Sequence, residues 1–286
     1  MAEVRIATRP SVLALAQAGR VADLLCGAYP ELSVRLVEVV TIGDRDQGGA
    51  IADLTEAGAF VRSVQEAVMD GRADLAVHSL KDIPVWGPEE LVLAAFPERG
   101  SPLDVLVGST LDELPAGGMV GTGSPRRVAQ LLELRPDLRT KELRGNVDTR
   151  LRKVAAREVD AALLAEAGLD RLGKSELITQ RFETAQMVPA PGQGALAVEA
   201  RTGSDFAHLA GIIDDGSLRI LLSAERLLLA EAGAGCRSAI GAHATWQDQK
   251  IRFEAFVADE RGPRRTVACG DTPQAVVAEV RKKLGL

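Results

Sequence analysis

The segment Val77-His78-Ser79-Leu80-Lys81-Asp82-Ile83-Pro84 ends an apolar run with a hydroxyl, an ammonium and a carboxylate in close succession. Asp82 has the chemistry of a general acid, a base or a cation stabiliser, and equally that of a turn cap ahead of Pro84. Lys81 suits an anion or plain solvent. His78, directly after the run, reads as a structural histidine. Basic residues gather elsewhere. Between Thr122 and Lys153, nine basic residues stand against four acidic ones, a net +5 in a chain whose total is −6, leaving −11 for the rest. Solvated helix faces would explain a charge run alone, but the placement is specific. Gly121-Thr122-Gly123-Ser124 joins a strand to a helix, Pro125 sits where a missing N–H costs nothing, and Arg126 and Arg127 fall on the first turn. Leu143-Arg144-Gly145-Asn146 makes a second such turn, with Arg150 one turn in. Arg9, ahead of a Ser11 N-cap, makes a third. First-turn amides and the helix dipole attract anions, and arginine forks pair with carboxylates. The three turns describe a cleft for several carboxylates or phosphates. Cys236, between Gly235 and Arg237, has surroundings that favour a thiolate, and a purely structural role stays open. Cys26 and Cys269 read as core residues.

The elements that must position these residues alternate between strand and helix. Strands are expected over 4–7, 34–40, 74–77 and 91–96, with helices over 12–26 and 60–69. The register resets near residues 98–102. Strands at 104–107, 119–122 and 161–164 follow, with helices running to 134 and starting near 146. Pro189-Ala190-Pro191-Gly192-Gln193-Gly194 is a second punctuation point, and 195–199 is strand-like. From Ser217 the pattern becomes a long helix (218–232), strands at 239–246, 251–258 and near 266, and a last helix at 273–283. The chain is therefore expected to be α/β, with two lobes and a small C-terminal α+β domain. The first lobe takes 1–97 and 193–214, the second 103–188, and the C-terminal domain 217–286.

Composition removes several classes. Among 286 residues, 46% are hydrophobic, enough for packed cores. Six Phe, two Trp and one Tyr are too few for a base-stacking platform, and the acidic total argues against a general nucleic-acid binder. The basic turns sit at strand ends rather than along one helix face, which also disfavours a DNA regulator. No run approaches the ~18 apolar residues of a membrane span. The N-terminal residues have no basic stretch leading into an apolar one, which predicts no secretory leader. Three scattered cysteines fit a reducing cytoplasm. His78, His208 and His243 are not at metal-ligand spacings, so no metal is expected.

The sequence closely resembles the hydroxymethylbilane synthase (porphobilinogen deaminase) family along nearly the whole chain. The resemblance runs through Arg5-Ile6-Ala7-Thr8-Arg9, Leu13-Ala14-Leu15-Ala16-Gln17, the 77–84 segment and Gly121 to Arg127. It continues in Leu143-Arg144-Gly145-Asn146-Val147 with Thr149-Arg150-Leu151, then Ala167-Gly168-Leu169 with Arg171-Leu172-Gly173. Pro191-Gly192-Gln193-Gly194-Ala195, Ala224-Glu225-Arg226 and Gly235-Cys236 complete it. It implies two periplasmic-binding-protein-like lobes plus an α+β domain carrying the cysteine. It implies a transferase that joins four porphobilinogen molecules head to tail, releasing ammonia at each step, and frees the linear tetrapyrrole by hydrolysis. The primer would be a dipyrromethane held by a thioether to Cys236, and the catalytic carboxylate would be Asp82. Cofactor contacts would come from Ser79, Lys81, Ser124, Arg126, Arg127, Arg144, Gly145 and Arg150. Arg9, Ser11, Gln17, Arg171 and Gln193 would meet the substrate. The implied protein is a cytoplasmic monomer whose partners are porphobilinogen and the growing polypyrrole, with neither nucleic acid nor membrane.

The pattern departs from the family in places. Asp53 and Ala57 occupy positions where the family usually has lysines, in a loop that acts as a lid. Arg237-Ser238-Ala239 follow the cysteine, Gly123 stands where serine is common, and Asp148 where a small residue is. The missing lid lysines motivate an alternative, a two-lobed protein that binds anions or tetrapyrroles with impaired catalysis.

Overall fold

The computed structural model describes residues 3–40, 56–233 and 239–286, with 56–60 described by backbone alone. Its contacts divide the chain into two compact units, residues 1–99 with 195–219 and residues 100–194 with 220–286.

The first unit is built on a five-stranded sheet in the order β2-β1-β3-β10-β4. The strands are β1 (Glu3–Thr8), β2 (Ser33–Glu38), β3 (Leu75–Ser79), β4 (Leu91–Ala95) and β10 (Leu196–Arg201). β1 pairs in parallel with β2 and β3, and β10 runs antiparallel to β3 and β4. Central parallel strands are covered on both faces, so they read as continuous apolar runs. Accordingly Ile6, Ala7, Leu75, Ala76 and Val77 are all buried. Helix α1 (Val12–Ala28) lays Ala18, Val21 and Leu25 into the core formed by Val4, Ile6, Leu75, Val77, Leu196 and Val198. Ser11 caps it, its Oγ accepting from the amide of Ala14. The helix continues through Gly27 to Ala28, past the end expected at residue 26, and closes where the amide of Tyr29 donates to the carbonyl of Leu25 at 2.8 Å. Helix α2 (Glu56–Met69) and helix α6 (Asp205–Gly211) complete this unit, together with the start of α7 (Gly216–Glu231).

The second unit holds a sheet in the order β7-β6-β8-β5-β9 and the C-terminal sheet β11-β12-β13. The first of these comprises β5 (Asp104–Val107), β6 (Met119–Gly121), β7 (Arg139–Lys141), β8 (Ala161–Ala165) and β9 (Ile178–Arg181). Around it lie α3 (Pro125–Leu134), α4 (Val147–Ala155) and α5 (Glu166–Arg171). β6 pairs in parallel with β7 and β8, while β5 runs antiparallel to β8 and β9. The C-terminal strands β11 (Ala239–Gln247), β12 (Lys250–Asp259) and β13 (Gly262–Gly270) form an antiparallel meander. Asp248 and Gln249 turn its first hairpin at positive φ. Helix α8 (Pro273–Leu284) packs Val276, Val277, Val280 and Leu284 on Phe253 and Ala255.

β7 and β9 were not expected from the sequence. Arg139-Thr140-Lys141 is polar and mostly exposed; it becomes a strand because β6 offers an unpaired edge. Strand pairing also sets the functional geometry. Parallel strands end at one edge of a sheet, where open α/β sheets place ligands. In the first unit, β1 and β3 bring Arg9 and Ser11 to the same edge as Ser79, Lys81 and Asp82. In the second, β6 and β7 bring Ser124 and Arg126 to the same edge as Arg144 and Gly145.

The Pro191–Gly194 turn has little room. Gly194 has φ +87°, and a Cβ there would lie 2.4 Å from the carbonyl oxygen of Gly100 and 2.8 Å from that of Ser101. Gly194→Ala is expected to lower stability by about 3 kcal/mol, combining the positive-φ penalty with overpacking against backbone. Urea denaturation with an unchanged m-value checks this.

Candidate functional site

In the first unit the site grows from the end of β3. Leu80 and Ile83 are buried and hold the short 3-10 turn Leu80–Asp82 from both sides, and the amide of Leu80 donates to the carbonyl of Ala195 at 3.0 Å. Between these anchors Lys81 is half-buried and Asp82 is exposed. Ser79 precedes the turn, and its Oγ accepts from Nε2 of Gln17 at 2.8 Å. Gln17 is itself buried in α1, so it fixes Ser79. Behind the strand, His78 Nε2 lies 3.1 Å from Glu199 Oε2, and Gln65 Nε2 donates to both oxygens of Glu199 at 3.0 and 3.1 Å. All three side chains are buried. This matches the structural reading of His78, and it explains why a buried glutamate occurs in β10.

In the second unit, Ser124 caps α3, with Pro125 at its start, and its Oγ accepts from the amide of Arg127. Asn146 caps α4, its Oδ1 accepting from the amide of Thr149 at 2.9 Å. Arg144 is exposed and donates from Nε to Glu142 at 3.1 Å. Arg150 Nε donates to the carbonyl of Gly145 at 3.0 Å, and Gly145 itself takes φ +101°. Arg171, on α5, donates to the carbonyl of Gly194 at 2.6 Å.

Arg126 and Arg127 differ from the other arginines. They are only 3% and 6% exposed, and both converge on Asp104 of β5, which is wholly buried. Arg126 Nη1 donates to Asp104 Oδ2 at 2.6 Å and to the carbonyl of Val188 at 2.7 Å. Arg127 Nε donates to Asp104 Oδ1 at 2.8 Å, and its Nη1 to the carbonyl of Leu163 at 3.0 Å. Gln193 is also wholly buried; its Nε2 donates to Asp104 Oδ1 at 3.0 Å and to the carbonyl of Pro102 at 2.7 Å. Gln193, expected to meet substrate, thus directs its amide nitrogen to Asp104 and the backbone. Burial alone would raise the Asp104 pKa. The charges of Arg126 and Arg127 outweigh that and hold it far below the ordinary carboxylate range.

The cluster carries two guanidinium charges against one carboxylate, an excess of +1, and Arg126 Nε is buried with no hydrogen-bond partner among the described residues. A donor set with excess charge and an unmet N–H fits a polycarboxylate ligand. The sequence reading missed Asp104. The signal was a lone aspartate opening an otherwise apolar strand, Asp104-Val105-Leu106-Val107.

Two family models match the chain. Porphobilinogen deaminase, dipyrromethane cofactor binding domain, covers residues 4–208, and porphobilinogen deaminase, C-terminal domain, covers residues 220–285. The chain belongs to the porphobilinogen deaminase family. Curated relatives agree. The porphobilinogen deaminase of Sorangium cellulosum is 44% identical over 266 residues, covering 92% of this chain and 89% of the relative. That of Thermobifida fusca is 43% identical over 285 residues (96% and 88%), and that of Brevibacillus brevis 40% over 291 residues (99% and 94%). Among solved structures, a TRAP periplasmic solute binding protein from Desulfovibrio salexigens aligns at TM-score 0.45 and 13% identity, over 74% of this chain and 72% of that one. Cys236, Arg237 and Asp53 lie outside the described residues, as does the side chain of Ala57.

Asp104 also ties stability to pH. Its folded-state pKa is depressed, so its contribution is full above the unfolded aspartate pKa of 3.8 and is lost as pH falls below it. Asp104→Asn is expected to cost about 3–5 kcal/mol at neutral pH, since it leaves two buried guanidinium groups without their counter-charge. The variant should also show a smaller loss of stability than the parent between pH 4 and pH 2, read by denaturant melts across that range.

Proposed function

We propose that the chain is an active hydroxymethylbilane synthase, condensing four porphobilinogen molecules with loss of ammonia and releasing the linear tetrapyrrole by hydrolysis. The observation that carries this reading is the arginine cluster with its excess charge, in a chain matched by the dipyrromethane-cofactor domain of the family. The covalent anchor in this reading is Cys236. Ser124, Arg144, Gly145 and Arg150, with Ser79 and Lys81 from the first unit, hold the cofactor's acid groups. Arg126 and Arg127 supply the charge behind Ser124. Arg9, Ser11 and Arg171 serve the incoming substrate, and Gln17 acts through Ser79. When bound, the dipyrromethane supplies the pyrrole carbon from which the chain grows.

Asp82 is the catalytic carboxylate. Its exposure on a turn anchored by two buried side chains gives it access to substrate without loss of position. Loss of ammonia from porphobilinogen breaks a C–N bond and leaves an electron-poor, positively charged ring. A carboxylate beside the pyrrole nitrogen stabilises that charge, and after the new C–C bond forms it can accept and pass on a proton. Holding the primer covalently leaves only one free reactant in each condensation. Arginines suit a chain of carboxylates that advances stepwise, because planar forks exchange partners readily.

The enzyme in this reading is a cytoplasmic monomer. No helix among the described residues is long and apolar enough to cross a membrane; Cys26 and Cys269 are free thiols, the first half-buried and the second exposed, which corrects their reading as core residues.

Intact-protein mass spectrometry should show a dipyrromethane increment on the purified chain, and Cys236→Ser should lack it. An unmodified parent mass after expression with precursors available would exclude the proposal. Asp82→Asn should lower kcat by about a hundredfold or more, measured as ammonia release from porphobilinogen. Steady porphobilinogen consumption by the parent also separates this enzyme from a binding protein on the same scaffold.

A further inference from the structure

The buried contacts around Asp104 extend further than the arginine pair. The amide of Gly192, next to Gln193, donates to Oε2 of Glu225 at 2.7 Å, and Oε1 of Glu225 accepts from the amide of Ala244 at 2.8 Å. Glu225 is wholly buried on α7, and Ala244 belongs to β11. The turn carrying Gln193 is therefore gripped from the C-terminal sheet on one side. On the other side, the Gln193 amide reaches Asp104 and the carbonyl of Pro102. Asp104 has one carboxylate for three long side chains, and two of those are cations.

We propose that Asp104 and Gln193 are positioning residues of the anion site at the start of α3: together they fix Arg126 and Arg127 and leave one positive charge for a ligand carboxylate. The inference rests on the cofactor reading above and adds what orients its charged donors. Asp104 neutralises one guanidinium and aligns both. Gln193 is the uncharged third contact, so it restrains the carboxylate without cancelling the excess charge. A carboxylate at position 193 would bring the cluster to neutrality, whereas a neutral side chain of similar size would keep the charge and lose only the restraint.

The full-length Cys236→Ser chain serves as the cofactor-free parent, with benzene-1,2,4,5-tetracarboxylate as the probe in titration calorimetry. Gln193→Met and Gln193→Glu are introduced into that parent, and thermal melts run alongside. Gln193→Met is expected to bind the probe about tenfold more weakly, the scale of one lost hydrogen bond to a charged group. Gln193→Glu is expected to be weaker still and to show a shallower dependence of log K on log salt. Gln193→Met should melt close to the parent; Gln193→Glu, which sets a buried carboxylate beside that of Asp104 and the Pro102 carbonyl, should melt lower and is titrated well below its own midpoint. Absence of probe binding by the parent overturns the inference, as does a Kd within twofold of the parent in either folded variant. Weakening of Gln193→Met that appears only in step with lost melting temperature also overturns it. If the chain with Cys236 intact carries no dipyrromethane mass, the cofactor reading falls, while the calorimetric result still stands or fails by itself.

Discussion

A single buried carboxylate organises the second unit. Asp104 sits at the start of β5 with no solvent contact and receives Arg126, Arg127 and Gln193. An unpaired charge in such a place would be prohibitively costly, and its pairing with two guanidinium groups is what makes it tolerable. The same pairing decides much of the local architecture. It draws the first turn of α3 onto β5, pins the 190–194 turn through Gln193, and leaves the cluster positively charged. The excess positive charge at the start of α3 thus belongs to a buried, unequal ion cluster rather than to arginines reaching into solvent.

The first unit solves a different problem with different chemistry. Its turn after β3 presents Asp82 to solvent while its neighbours are held in place. Apolar anchoring does this, through Leu80 and Ile83 on either side, backed by the buried His78–Glu199–Gln65 network behind β3. Gln17 fixes Ser79 in the same way that Gln193 restrains Asp104: a buried amide holds a polar partner in place without adding charge. Both units therefore hold a polar group at one end of a strand and brace it with a neutral amide.

The two five-stranded sheets share one arrangement: three parallel strands from one edge, then an antiparallel member and an opposite edge strand. This places the turns after β1 and β3 at one sheet edge, and those after β6 and β7 at another. In each case, residues far apart in sequence become neighbours through strand pairing alone.

Much of this was legible in the sequence. The apolar runs at 75–77 and 161–164, the Ser11 cap and the Pro125 helix start are local signals, because caps and buried strands are set by neighbouring residues. The positions of Asp82, Arg126 and Arg144 just after strands were also readable, because apolar runs followed by turn residues mark strand ends. What the sequence alone could not supply was which arginines pair with a buried carboxylate. Arg126 and Arg144 look alike as residues after strands, yet one is buried against Asp104 and the other is exposed. Gln193 likewise reads as a polar loop residue, and only the fold directs it inward. The polar strand β7 became a strand through its neighbour β6. The reason is common to all three. Helix caps and apolar runs are decided within a few residues, whereas ion pairing, burial of a polar side chain and edge-strand formation depend on partners tens of residues away, which only tertiary structure brings within hydrogen-bonding distance.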